Sequence, residues 1–545
     1  MSSQKFISEE PLVKLEATIR DPYDLAVATA RTCYSSQGII RVEDVRKDER
    51  AKQLRDKIAQ STRDAGHLTT RQHAHFVFSL QKVSRHFVWS FLHSHPFYNS
   101  EQVSQRYVKV KAENWAVPPL EEKPRTIYEQ AVREQTVDYQ RLIDLLLPYV
   151  GEAYYSIFPI RRKWEDKYKS TVAKKAYELA RYVLPVATHS YLYHTVSAVT
   201  LLRYQRLVNL FDTSLEQKIV VQKMLEEVLK VDPEFGKDFS EAYPLEETPE
   251  WKMLNQFGKG LSSSSLDGQE ALPLSLEGRG QGEGANTRQF IREFDVSLEG
   301  HVSKLVDYKV HAQATVAQSV REVFGLTKAQ MSDEVALDQL LDPSKNPYLA
   351  ETLNVNTLSK LSRCMVHAHY TFRKKISHSA DSQDQRHRMT PASRPILETH
   401  YTGEPDYIVP KLIAGRPEVL DLYQRSMEKA FRAINRLLEE GVKAEFALYL
   451  LPNAFPIRFE ESGDLLNLHH KWHTRACYTA QDEIFYATID EIVQVKELHP
   501  ALASKILAPC YIRKHAGLKP VCPEGERFCG TKVWEKEIGE YERVL

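Results

Sequence analysis

Cysteine is scarce, with six in 545 residues, too few for a disulfide framework in a chain of this length. An excess of either charge is also missing, since 73 Lys and Arg balance 73 Asp and Glu. No global field therefore draws the chain to nucleic acid or anionic membrane, and any anion site must be a local cluster. No apolar run approaches the ~20 residues of a membrane span, and the start MSSQKFISEEPLVKLEA lacks the basic-then-apolar layout of a signal peptide. A cytoplasmic protein is expected. Nor is there a phosphate-cradling Gly-rich loop, a Ser-His-Asp order or a nucleic-acid motif. The length exceeds what one hydrophobic core serves, so two or more domains are expected.

What the chain does have is histidine, 20 residues of it, and one stretch that concentrates chemistry. His367 to Arg388 reads HAHYTFRKKISHSADSQDQRHR, a density of hydrogen-bonding and cationic groups for which a plain core segment has no use. Its opening occurs once before, as HAHFVFSLQKVS at His73 to Ser84. Other stretches return in the same order. The strand, turn and alanine-bearing helix of residues 13–36 reappear from Val302 onward, and ARYVLP at 180–185 is answered by ALYLLP at 447–452. Ordered recurrence of this kind identifies two fused copies of one domain. The second is shorter by about 27 residues between these landmarks. The predicted boundaries are a first copy at 1–255, a Gly- and Ser-rich flexible linker at 256–288, a second copy at 289–505 and a Cys-containing extension at 506–545.

Local patterns predict the elements. Asp21-Pro22 is helix-start chemistry for the alanine-rich run that follows, and residues 52–65 form a charged amphipathic helix ended by Gly66. His73–Leu80 alternates as a strand, with His73 and His75 on one face and Phe76 and Phe78 on the other. Helices are predicted over 126–147, 169–184 and 190–210. Each copy is thus expected to be α+β, with helices packed on a small, mostly antiparallel sheet. Arg181, among Ala180, Val183 and Leu184, either snorkels to water or meets an anion, and position alone favours snorkelling.

These motifs resemble those of the flavin-dependent thymidylate synthases, a family with an Arg-His-Arg motif preceded by Gln, a Ser-x-Arg-Tyr element, a helix reading Ala-Arg-x-x-Leu-Pro, and a later helix ending in a ligand-binding Arg. The first copy keeps Gln102, Ser104, Arg106 and Arg181 but reads Ser94-His95-Pro96 at the triplet. The second keeps Gln383, Arg386, His387 and Arg388, lacks Ser-x-Arg-Tyr, and has Leu448 for the helix Arg. Counting on from each Leu-Pro makes Ser197 equivalent to Asp464, and Val208 to Arg475. Each copy lacks what the other has, so one composite site per fused pair is expected. The resemblance implies a tandem that packs as a pseudo-dimer, with a homodimer of chains rebuilding a pseudo-tetramer. It also implies FAD-dependent reductive methylation of dUMP to dTMP, with methylenetetrahydrofolate as donor and NADPH as reductant. Planar guanidiniums suit a nucleotide phosphate, here Arg106, Arg181 and Arg386 with Ser104. The Arg-His-Arg triplet suits a flavin diphosphate, His73 and His367 stand where the family contacts flavin, His470 lines the flavin pocket, and Arg475 stabilises the uracil anion. Two alternatives stay open. An eroded flavin- or nucleotide-binding relative could serve a structural or regulatory role. A methylase of another pyrimidine nucleotide is the other, since Gln102 stands where the family usually has Glu.

Beside these readings stand plainer ones. His75 and His369 read as satisfied core residues, and His469, His470 and His473 lack a carboxylate partner at metal-ligand spacing. In the tail, Cys510, His515, Cys522 and Cys529 offer four ligands that tetrahedral zinc accepts, between Pro and Gly turns, but without a Cys-x2-Cys pair. Ordinary free thiols are the favoured reading there.

Overall fold

The computed structural model describes residues 5–93, 95–257 and 281–545. In the first copy the elements run β1 (Leu12–Thr18), α1 (Pro22–Thr32), α2 (Glu49–Asp64), β2 (His75–Ser84), α3 (Arg85–Leu92), β3 (Tyr98–Gln102), α4 (Glu122–Ile157), α5 (Glu165–Ala180), β4 (His189–Ser197), α6 (Ala198–Leu207) and α7 (Ser214–Val231). The strands form an antiparallel sheet in the order β1-β2-β4-β3. Its inner face presents Phe76, Phe78 and Leu80 of β2 and Leu192 and Val196 of β4 to α1, α6 and α7. One expectation fails here: 190–210 is not a single helix. SYLYHTVS buries Ser190, Leu192, His194 and Val196 while Tyr191 and Tyr193 stay exposed, a period of two that makes a strand. The helix begins only where Ser197 caps it.

The second copy repeats the plan with α8 (Gln281–Ser297), β5 (Ser303–Tyr308), α9 (Ala312–Phe324), β6 (His369–Ser377), α10 (His378–Asp384), β7 (Ala392–Ser393), α11 (Pro417–Glu439), β8 (Pro456–Asp464), α12 (Leu465–Arg475), α13 (Asp482–Leu498) and α14 (Pro509–His515). Its sheet order, β5-β6-β8-β7, is the same. Of the predicted linker 256–288, residues 258–280 lie outside the described residues, and α8 covers the last part. This helix lies on the outer face of the second sheet, where Asp295 pairs with Lys375 at 2.7 Å and Arg458 at 2.8 Å.

Side-chain caps fix the correspondence between the copies. Ser84 accepts from Phe87 N at 2.8 Å and Ser377 from Ala380 N at 3.1 Å, each as the N-cap of the helix that leaves its sheet. A bulge in β2, where Lys82 has φ 56°, adds one residue that β6 lacks. The triplet Arg386-His387-Arg388 therefore answers His93-Ser94-His95, one residue earlier than the sequence alone suggests. Ser197 and Asp464 are both N-caps, as expected.

The two copies pack as a pseudo-dimer. At its centre Pro185 bridges Pro452, and the flanking bonds come in matched pairs. Val186 N donates to Leu451 O at 2.8 Å while Asn453 N donates to Leu184 O at 2.9 Å; Ala187 N donates to Tyr449 O while Ala454 N donates to Tyr182 O. Glu216 accepts from Ser84 N, Ser84 Oγ and, across the axis, Tyr449 OH. Glu483 does the same with Ser377 and Tyr182. Helices α4 and α11 pack against each other and join an apolar core drawn from both copies. Domains descended from a symmetric pair keep such a self-complementary surface.

Candidate active site between the two copies

Two loops and two helix ends converge on one side of the axis. From the second copy, α10 leads into the triplet: Arg386 donates to Glu101 at 2.7 Å, and Arg388 donates to Asn99 Oδ1 at 2.9 Å and to Pro96 O at 3.2 Å. At the end of α12, Arg475 Nε donates to His387 Nε2 at 2.8 Å. His387 is held far below its usual range by burial and then by Arg475 and Lys471, so its ring stays neutral and accepts. His470 lies beside it, ring centres 6.2 Å apart. Gln383 donates to Gln481 Oε1, which also accepts from Arg181 at 2.7 Å.

From the first copy come Arg85, Gln102, Ser104, Arg106 and Arg181. Gln102 accepts from Arg85 at 3.0 Å, and Ser104 Oγ accepts from the Arg106 backbone at 3.3 Å. Arg106 donates to Thr479 O at 2.7 Å and pairs with Glu178 at 3.0 Å. Positive charge is in surplus. Burial and then Arg181 push Arg85 down to about 9. Burial, only partly opposed by Asp384, pushes Arg475 down to about 10. Burial lowers Arg181 too, against the pull of Glu178, whose own carboxyl is held to about 2 because Arg106, Lys175 and Arg181 outweigh its burial. The Nε atoms of Arg106 and Arg181 are buried with no partner. Unfilled buried donors beside crowded guanidiniums call for an anion. Arg386 and Arg388 line a groove of about 300 Å³ together with Tyr98, Asn99, Glu101, Gln102 and Tyr193. A larger groove of about 610 Å³ lies elsewhere, by Asp333, Asp338 and Asp342; its one lysine, Lys505, is already paired with Asp338 and Asp342, so it offers an anion nothing.

Beneath this site the second copy buries a charge network. Lys374 meets Glu461, Glu491 and Asp384, and Lys471 meets Glu461 at 2.5 Å and Asp384 at 2.8 Å. Lys471 stands one turn before Arg475 and Asp384 three residues before His387, so the network fixes the roots of both.

On the opposite side of the axis the equivalent region is closed. Arg394 forms a bidentate pair with Asp381, which also accepts from Trp89 Nε1 at 2.7 Å. His93 and His378 are held far below their usual range, chiefly by burial, and Leu448 and Val208 replace Arg181 and Arg475. Asp381 is satisfied by Arg394 and Trp89, and the nearby Asp212 accepts from Leu397 N at 2.8 Å.

Most of the expected site residues thus meet across the two copies; His73, His75, His367 and His369 do not join them within one chain. His73 and His367 end 3₁₀ turns before β2 and β6 and are exposed. They stand at the far end of those strands from α3 and α10, about 30 Å away at roughly 3.3 Å per residue. His75 is exposed and His369 partly so, so neither is a core residue. Of the tail ligands, His515 is exposed and stacks on Tyr511 at 4.2 Å. Among the described residues no group of three or more His, Cys, Asp or Glu side chains stands ready to hold a metal ion. Arg85, Glu178 and Gln481 were missed. Arg85 could have been found once the caps were aligned, because it answers His378 and so follows the same complementary split.

A family model described as "Thymidylate synthase complementing protein" matches residues 14–234 and again 304–501, which together make up most of the chain. The chain belongs to this family, in two copies. The flavin-dependent thymidylate synthase of Clostridium tetani is 29% identical over 229 residues, 41% of this chain and 85% of the relative. Those of Geobacter sulfurreducens and Thermococcus kodakarensis are each 28% identical, over 176 and 181 residues, covering 32% and 31% of this chain and 72% of each relative. Each of these relatives matches a stretch of this chain about one copy long or shorter.

Proposed function

We propose that this chain carries out the FAD-dependent reductive methylation of dUMP to dTMP, with methylenetetrahydrofolate as carbon donor and NADPH as reductant, at a single site per chain. The carrying observation is the cross-copy set of guanidiniums with buried, unpartnered Nε atoms on Arg106 and Arg181. In this reading Arg106, Arg181 and Ser104 hold the nucleotide phosphate, Gln102 and Gln383 orient the nucleotide, and Arg386, His387 and Arg388 hold the flavin diphosphate with His470 at the pocket wall. The residues fit such a group, because Arg386 and Arg388 line an open groove and now rest on Glu101 and Asn99. Flavin, when bound, supplies the hydride chemistry that no side chain offers. Arg475, fixed by His387, presents a cation to the negative charge developing on the pyrimidine ring. Chains pair as homodimers in this reading, using the first sheet's outer face, where Tyr191 and Tyr193 are exposed and, among the described residues, no helix matches the cover that α8 gives the second sheet.

The test is tritium release from 5-labelled dUMP by the flavin-loaded protein with folate donor and NADPH. Release that depends on Arg475 supports the reading; a flavin-binding protein that releases none with dUMP refutes it.

A further inference from the structure

Residues 476–481 join α12 to α13, and two sets of partners share them by turns. Thr479 and Gln481 serve the candidate site: the Thr479 carbonyl accepts from Arg106 at 2.7 Å, and Gln481 Oε1 accepts from Arg181 at 2.7 Å and from Gln383. Tyr478 and Ala480 are taken by residues from the far end of the sequence. Tyr541 packs edge-on against Tyr478 at 5.7 Å, and Arg543 Nη1 donates to Ala480 O at 2.6 Å. The Arg543 guanidinium also lies over the Phe485 ring at 5.2 Å, and that ring meets Tyr478 edge-on at 5.2 Å. This tail is docked along its length. Val533, Ile538 and Tyr541 are buried in the second copy's core, and Tyr541 OH accepts from Ala508 N at 3.3 Å. Gly530, at φ 84°, abuts the first copy, where a Cβ would collide with Ile157 and Phe158. Leu545 packs on the apolar cluster that α4, α5 and α11 build. The tail thus touches both copies and, through Tyr541 and Arg543, the segment on which Arg106 and Arg181 rest.

We infer, resting on the nucleotide reading above, that Arg543 is a positioning residue for the phosphate site, acting through Ala480 on the Thr479 carbonyl and the Gln481 side chain. Phosphate recognition by a guanidinium depends on direction, because its N–H donors form a planar fork. Thr479 O and Gln481 Oε1 set that direction for Arg106 and Arg181. Both acceptors are neutral, so how firmly they aim the two cations depends on how firmly their own short segment is held. A charge-assisted bond to Ala480 O, from a guanidinium lying over Phe485, holds the residue between them. Lysine at 543 keeps the charge and a donor but loses the planar contact with Phe485.

Hydrogen–deuterium exchange of ligand-free, full-length protein and calorimetric titration with dUMP are compared for the parent, Arg543→Ala, Arg543→Lys and Glu542→Ala. In Arg543→Ala, exchange at 477–481 is expected to rise while the amides of β6 and β8 keep their protection, and the Kd for dUMP to rise about 2- to 30-fold. Arg543→Lys restores part of both, and Glu542→Ala, at an exposed neighbour, changes neither. Unchanged exchange at 477–481 in Arg543→Ala overturns the assignment, as does faster exchange there with dUMP bound as tightly as by the parent. A parent that binds no dUMP refutes the nucleotide reading, and the ligand-free exchange still decides whether Arg543 fixes the segment. Should Arg543→Ala not fold, the unaltered protein gives the second reading: dUMP must slow exchange at 538–545 together with 477–481, and protection of 477–481 alone overturns the coupling.

Discussion

Replacing Arg181 by alanine removes the cation most completely enclosed by the proposed nucleotide site. The side chain is 3% exposed, its Nε has no partner, and its one side-chain hydrogen bond goes to Gln481 Oε1 at 2.7 Å. Gln481 keeps its bond from Gln383 and its own donation to Tyr182 at 2.8 Å, so the local scaffold survives. What is lost is a charge-assisted hydrogen bond to the ligand, worth on the order of 1.5 to 3 kcal/mol, or about 10- to 150-fold in the Kd for dUMP. Isothermal titration calorimetry at fixed ionic strength reads this directly, with circular dichroism to confirm folding. Leu448→Ala, at the mirror position, serves as the control and leaves the affinity unchanged. An Arg181→Ala protein that folds and binds dUMP as tightly as the parent would refute the assignment of this guanidinium to the anion.

Other consequences follow from the same geometry. Burial raises Glu216 from its ordinary 4.5 to about 7; the folded state then holds the proton more tightly than the unfolded state, so its contribution is complete below about pH 4.5 and falls away as pH rises to about 7, by roughly 3 kcal/mol. Glu216→Gln should flatten that slope in urea titrations at pH 5 and 7.5, and an unaltered slope counts against it. Lys471→Met leaves Glu461 and Asp384 under-compensated and should cost about 3 to 5 kcal/mol of stability by denaturant unfolding; a loss under 1 kcal/mol means that the network is slack. Trp89→Phe removes the indole donor to Asp381 while Arg394 stays paired, costing about 1 to 3 kcal/mol with dUMP affinity unchanged, and weakened binding would reopen the mirror site. Analytical ultracentrifugation should give twice the chain mass, and monomer alone rules out the homodimer.

The duplication was legible because the His-Ala-His opening and the Ala-x-Tyr-x-Leu-Pro run recur in the same order. The complementary loss followed from reading those motifs in parallel, and the cross-copy bonds of Arg386, Arg388 and Arg181 agree with it. The extra residue of the Lys82 bulge stands in the sequence, where His-Ala-His to Ser spans 12 residues in the first copy and 11 in the second, but its place was not legible without the sheet, and it shifted the triplet's counterpart to His93. The strand 189–197 was hidden inside an apolar stretch whose Tyr and Leu suit either period until a sheet partner decides. Within one chain a strand of nine or ten residues separates His73 and His367 from the helix that bears the site. The role of Gln481 depends on contacts between segments far apart in sequence, with Arg181 and Gln383, which no local pattern encodes.

The central claim is that two diverged copies make one anion site between them. Equilibrium dialysis of the full chain against radiolabelled dUMP, with flavin present, counts it. The account predicts one nucleotide bound per chain at saturation, abolished in the Arg181→Ala, Arg475→Ala double variant; two equivalent nucleotides per chain would contradict it.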